Sequence, residues 1–201
     1  MTCAMAINNW ITINKTGIRT GTQLLPPLDT TAALTPEALY HALQCNYPKF
    51  YKMDNLCKWA FVATDCLFYK NNLNSNIDKN KVAVALSTSH GCIDVDKRYQ
   101  AGITIPSPAL FVYTLPNIML GEICIRHGIK GEQHCMVTES FDADELFFTA
   151  NGLLSRGMDA CLCGWVDVAG DSYDVCLFWI SNGGTGVAFT AQHLLEIYKL
   201  R

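Results

Sequence analysis

Apolar residues change their rhythm along this chain, and each rhythm predicts a different element. Thr2 to Ile13 is apolar and β-branched and predicts a strand, whereas Gly17 to Thr31, which carries Pro26-Pro27, predicts a loop. Thr35-Pro36-Glu37 has the form of a helix start, a capping hydroxyl followed by proline at the first helical position; that helix ends near Cys45. Met53 to Tyr69 predicts a longer helix with Leu56, Ala60, Ala63 and Leu67 on one face and Asp54 where the helix dipole favours negative charge. After the polar turn region 71–81, Val82 to Leu86 reads as a short buried strand, and His90 to Gly102 as a polar stretch with no assigned element.

The second half alternates more regularly. Pro108 to His127 predicts a helix, with Pro116 in its first turn and Gly128 as its C-terminal cap. Cys135 to Thr138 predicts a strand and Ala143 to Ser155 a helix closed by Gly157. Two apolar strands, Ala160 to Val168 and Tyr173 to Ile180, flank a hairpin-like Gly170-Asp171; the glycine-rich link Asn182 to Gly186 then leads to an amphipathic helix, Gln192 to Leu200. This order predicts an α/β fold, a mixed five-stranded sheet covered by helices, in one domain over residues 1–201 with 182–201 as a C-terminal link and helix.

Composition narrows the function classes. The chain has 201 residues, half of them hydrophobic, which suffices for an ordinary core. A net charge of −3 with 16% charged residues leaves no basic footprint for nucleic acid. No apolar run reaches the ~18 residues of a membrane span, and the opening MTCAMAINNW lacks the basic and apolar regions of a secretory signal, so a cytoplasmic protein is expected. Of ten cysteines, Cys3, Cys124, Cys135, Cys161, Cys163 and Cys176 lie inside apolar segments, which favours reduced, buried thiols over a disulfide framework. Cys161-x-Cys163 and His134-Cys135 lack a second pair at finger-like spacing, so neither a metal nor a cofactor is expected. The histidines (His41, His90, His127, His134, His193) are scattered and read as structural or solvated; His127, before Gly128, suits a cation at a helix end.

Several short signals follow one another in order. They are Met53-Asp54-x-Leu56, then Ser107-Pro108-x-x-Phe111 with Asn117 and Gly121, then Gly128-Ile129-Lys130-Gly131, and finally Gly157 and Gly164-x-x-Asp167. Together they resemble the N-terminal half of the β-ketoacyl synthases, the condensing enzymes of fatty-acid and polyketide assembly, most strongly over Ser107 to Gly164. The resemblance implies a thiolase-like half-fold, βαβαβαββ. In the family the nucleophilic cysteine falls nine residues after the glycine matching Gly131 and seventeen before the one matching Gly157; both counts land on Ser140.

That substitution shapes what the resemblance implies. A cysteine at a strand-to-helix turn gains thiolate character from the helix N-terminus, whereas serine needs an adjacent general base. Glu139 and Asp142 add negative charge beside Ser140, and Phe141 replaces a small neighbour, so no oxyanion hole is expected there and Ser140 is expected to cap the following helix. The family's catalytic histidines come from a C-terminal half that this sequence does not contain. The implied class is therefore the short chain-length-factor-like proteins of bacterial type II polyketide, aryl-polyene and flexirubin pathways: a non-catalytic subunit that pairs with a full-length ketosynthase, or with itself, with an acyl carrier protein as a further candidate partner. By the same resemblance Cys135, Met136, Val137 and Thr138 form the dimer edge strand, and Val112, Leu115, Met119 and Phe141 are candidates for an acyl pocket or dimer contact. Two alternatives stay open: a Ser140-dependent acyltransferase or thioesterase, and a homodimeric acyl-binding scaffold.

Overall fold

In a computed structural model, which describes residues 5–22, 24–28, 33–71, 75–183 and 186–201, the chain builds one sheet with helices on both faces. The elements run β1 (Met5–Asn14), β2 (Gly17–Thr20), α1 (Pro36–Ala42), α2 (Asn55–Leu67), β3 (Val82–Thr88), α3 (Ile93–Ala101), α4 (Pro108–Val112), α5 (Ile118–His127), β4 (Gln133–Val137), α6 (Ala143–Ser155), β5 (Ala160–Ala169), β6 (Ser172–Asn182), β7 (Val187–Ala188) and α7 (Ala191–Lys199). Sheet order is β2-β1-β6-β5-β3-β4, with β7 paired to β1. β3 lies parallel to both β4 and β5, and the remaining pairs are antiparallel.

Side-chain alternation on the central strands divides the interior in two. Val82, Val84 and Leu86 of β3 face a core built with α2 and α5, while Ala83 and Ala85 face a second core under α6 and α7. Because both faces are covered, every residue of β3 is buried, as its unbroken apolar sequence requires. Helix α2 is buried on nearly every side, not along the single stripe its periodicity suggests. Its start is fixed by Asp54, whose carboxylate accepts a hydrogen bond from the Cys57 N–H at 3.0 Å. Gly131 lies so close to the start of β3 that an added Cβ would stand 2.3 Å from the Val82 carbonyl oxygen, so this motif glycine answers to packing.

Three sequence expectations need correction, and one stretch left unassigned gains an element. The sheet has seven strands, not five; β2 extends β1 in a hairpin where a loop was expected, and β7 forms within the C-terminal link. The polar stretch after β3 contains a helix, α3. The long helix expected over Pro108 to His127 is two helices: Pro116 has no N–H to donate, and the residue before a proline is pushed out of the helical region, so the chain leaves helix after Val112 and resumes at Ile118. Finally, the cap of α6 is Asp142, not Ser140: its carboxylate accepts from both the Asp144 and Glu145 N–H groups at 3.0 Å. Residues 2–4 of the expected first strand, including Cys3, and 184–185 of the link lie outside the described residues. The nine described cysteines are all unpaired.

Candidate functional site

The site assembles where parallel strands β3 and β4 end and β5 passes beside them, the edge at which open α/β sheets place ligands. The β4–α6 turn follows the edge strand. Its Thr138 N–H donates to the Thr88 carbonyl at 3.0 Å, continuing the ladder one step past β4, and the Thr138 hydroxyl donates to the Ser140 carbonyl at 2.9 Å. Ser140 is exposed at the top of this turn. Phe141 turns inward: its ring stacks on Tyr198 of α7 at 3.9 Å and 16°, with Phe178 of β6 beyond.

Facing the turn, the end of β3 carries a hydrogen-bonded group that the sequence reading did not bring together. Asp167 of β5 accepts from the Thr88 hydroxyl (3.0 Å), the Ser89 and His90 N–H groups (2.9 and 2.8 Å) and His90 Nδ1 (2.7 Å). Burial pushes the Asp167 carboxyl up, but the hydrogen bonds from His90, Ser89 and Thr88 outweigh it and hold it below the usual carboxylate range. The Ser89 hydroxyl donates to the Glu139 carbonyl at 3.1 Å, tying this group to the residue before Ser140. Asp167 stood out in sequence as a motif residue. Its partnership with His90, seventy-seven positions away, leaves no local signal.

Strand β4 pairs with β3 alone among the described strands. Cys135 packs toward the α2/α5 core and its thiol is raised by burial, Met136 packs under α6, and Val137 is 66% exposed. Of the candidate acyl-pocket residues, Met119 is fully buried in the α2/α5 core, while Val112 and Leu115 are 45% and 46% exposed. The break between α4 and α5 thus separates three residues that helical spacing would place on one face. Val112 and Leu115 are instead exposed, as are Ile105 and Phe111 nearby in the chain.

Two buried carboxylates also went unnoticed in sequence. Glu122 of α5 receives Lys49 Nζ at 2.7 Å and the hydroxyls of Tyr113 and Tyr47. Asp65 of α2 pairs with Arg126 at 3.0 Å and lies 3.0 Å from His127 Nε2; burial raises its carboxyl, and its interactions with His127 and Arg126 more than offset that, leaving it low. A cavity of about 790 Å³ lies at the far edge of the sheet, between β2 and α1, lined by Ile18, Leu25, Leu28 and Leu34 among others, and none of the site residues reaches it. Among the described residues no cluster of side chains has the makings of a metal site, and no helix is long and apolar enough to cross a membrane.

No protein-family profile and no curated protein matches the chain. Solved structures do. The ishigamide ketosynthase/chain length factor superposes with a TM-score of 0.64 at 16% identity, over 92% of this chain and 64% of that one. The chain has the thiolase-like ketosynthase fold. A type II polyketide ketosynthase, bound to a hexaketide and in complex with its acyl-carrier protein, gives a TM-score of 0.67 at 15% identity, over 98% of this chain and 65% of that one. A ketosynthase in complex with its chain length factor from Xenorhabdus doucetiae gives 0.59 at 12% identity, over all of this chain and 91% of that one. The chain thus spans about two thirds of the length of the first two. At these identities the likeness is one of fold.

Proposed function

We propose that the protein is a ketosynthase-like partner subunit, chain-length-factor-like in role, which pairs with an active β-ketoacyl synthase in polyketide- or fatty-acid-type chain elongation and supplies no condensing nucleophile of its own. The observation that carries this reading is the free edge of β4. Among the described strands it ends the sheet, shows Val137 to solvent and has no partner on its outer side, a surface that sheet proteins otherwise shield. Pairing through it would continue the sheet into a second subunit. The exposed Ile105, Phe111, Val112 and Leu115 add apolar side chains suited to the same or an adjacent contact.

The position of Ser140 supports the absence of condensing chemistry. The turn offers an alcohol where the synthases carry a thiol, and the acidic Glu139 and Asp142 stand on either side. An acyl carrier protein is a second proposed partner, because one structural neighbour was solved with its own.

The test is co-expression with a ketosynthase from the same genome, followed by size-exclusion chromatography with light scattering. A one-to-one complex is expected, and Val137→Lys, which sets a charge on the edge, weakens it at least ~10-fold, the effect of losing one well-packed interface residue. A stable homodimer with no affinity for any synthase would replace this reading with a self-sufficient scaffold. A complex indifferent to Val137→Lys would move the interface elsewhere.

A further inference from the structure

We infer that His90 and Asp167 form a base and its positioning partner for Ser140, giving this chain an acyl-transfer site that differs from the cysteine chemistry of the condensing enzymes. The inference does not depend on the partner-subunit reading, since it concerns the chain alone.

The tautomer comes first. Asp167 accepts from three donors besides the imidazole, the Thr88 hydroxyl and the Ser89 and His90 N–H groups, so its carboxylate is charged and acceptor-only. His90 Nδ1 therefore carries the proton it shares with Asp167 at 2.7 Å, and Nε2 is left as the basic nitrogen. The side chain of His90 is 52% exposed while that of Asp167 is 14% exposed, so the pair is anchored at one end and open at the other. This is the arrangement by which a buried carboxylate orients an imidazole to act as a base.

Position comes second. His90 directly follows Ser89, and Ser89 donates to the carbonyl of Glu139, which directly precedes Ser140. The Thr138 to Thr88 hydrogen bond locks the same two strand ends together one residue earlier. Imidazole and alcohol thus stand on adjacent, mutually tethered turns at the carboxyl ends of β3 and β4. The Ser140 hydroxyl makes no hydrogen bond to His90 in this structure. The Ser140 side chain is exposed while His90 is held by Asp167, and catalytic hydrogen bonds commonly tighten only when substrate binds. Of the turn's two acids, Asp142 is committed to the α6 cap, where two N–H groups offset its charge. Glu139 remains, and Asp144 and Glu145 in the first turn of α6 and Asp94 and Asp96 in the first turn of α3 are further carboxylates at this end of the sheet. The N–H groups of Ser140 and Phe141 enter none of the hydrogen bonds among the described residues, which leaves them available to a developing oxyanion.

The step suits a thioester. Ser140 Oγ attacks the carbonyl carbon while its proton passes to His90 Nε2. The carbon–sulfur bond then breaks, the sulfur leaves as a thiol with that proton, and the acyl group stays on Ser140 as an ester. Water attacks the ester by the same route, releasing the carboxylic acid and restoring the alcohol. The net reaction is thioester plus water to acid plus thiol, with no redox change.

The experiment uses the full chain with hexanoyl-coenzyme A, followed by intact-protein and peptide mass spectrometry and by loss of thioester absorbance. The expected result is one hexanoyl adduct on the peptide containing Ser140, absent in Ser140→Ala. In His90→Gln, which keeps the size and polarity of an exposed position, acylation slows by ~100-fold, the scale of a lost general base. The parent rate rises with pH, as it must when a base has to be free to take the serine proton, and that rise disappears in His90→Gln, which a purely structural role for His90 would not produce. An adduct that maps to a cysteine, neither adduct nor thioester loss with the folded protein, or a rate in His90→Gln within ~3-fold of the parent, well short of a lost base, would overturn the inference. Thermal melts of each variant confirm that it is folded.

Discussion

Truncating Tyr198 tests how the Ser140 turn is held. Its ring stacks on Phe141 at 3.9 Å, its hydroxyl donates to Asp174 Oδ2 at 2.7 Å, and the Arg201 guanidinium lies 3.5 Å above it. A stacked aromatic pair contributes ~1 kcal/mol beyond area burial, a half-exposed hydrogen bond to a carboxylate ~1.5 kcal/mol, and an exposed cation–π contact ~0.5 kcal/mol. Tyr198→Ala therefore costs about 3 kcal/mol by these contributions. For a domain of this size that lowers the melting temperature by about 6–12 °C. Tyr198→Phe keeps the stack and loses only the hydroxyl, so it should show about half the effect. Thermal unfolding followed by far-UV circular dichroism measures both. If Tyr198→Ala melted within ~2 °C of the parent, under ~1 kcal/mol, α7 would not be anchoring Phe141. If Tyr198→Phe matched Tyr198→Ala, the hydroxyl would carry the whole effect and the stack none.

Three further outcomes follow from the same packing. Gly131→Ala should destabilise by ~3 kcal/mol, the upper range of overpacking, because the new Cβ meets the Val82 carbonyl oxygen at 2.3 Å and its carbon at 2.8 Å; urea unfolding measures it. Gly121→Ala, inside α5 with nothing within 4 Å of the added atom, should instead gain ~0.5–1 kcal/mol from helix propensity. Asp65 is held below its ordinary 3.8, so its contribution to stability is fully present above that value and is lost as pH falls through the lower, folded pKa. Melting temperature should accordingly drop below about pH 4, and Asp65→Asn should lower stability near neutrality by ~2–3 kcal/mol, less than a fully buried pair because Arg126 is partly exposed, while flattening that acid limb. An unchanged acid limb in Asp65→Asn would assign it to other carboxylates such as Asp167 and Glu37.

Those signals whose physics is local were legible in the chain. Thr35-Pro36 opens α1, Asp54 opens α2 and Gly128, at φ 68°, closes α5, because capping and left-handed backbone depend on the nearest few residues. The unbroken apolar run of β3 marked a strand buried on both faces, and the order of glycines and small motifs carried the resemblance that the ketosynthase fold now matches. The break at Pro116 was missed although its cause is local: its missing N–H and its effect on Leu115 divide α4 from α5, where helical periodicity alone suggests one continuous helix.

What only the tertiary structure decided are pairings between distant residues. Nothing near His90 signals that Asp167 will meet it, and nothing near Glu139 signals Ser89, because those contacts exist only once β4, β3 and β5 lie side by side. The same holds for Phe141, which reads as a bulky neighbour of Ser140 but is held inward by Tyr198 more than fifty residues later. The burial of Met119 apart from Val112 and Leu115 is decided by the direction in which the chain re-enters helix after Pro116. Sequence specified the elements and the identity of the residue at the turn; the stacking of three strands determined which groups stand around it, since hydrogen bonds and ring contacts act over a few ångströms of space and not along the chain.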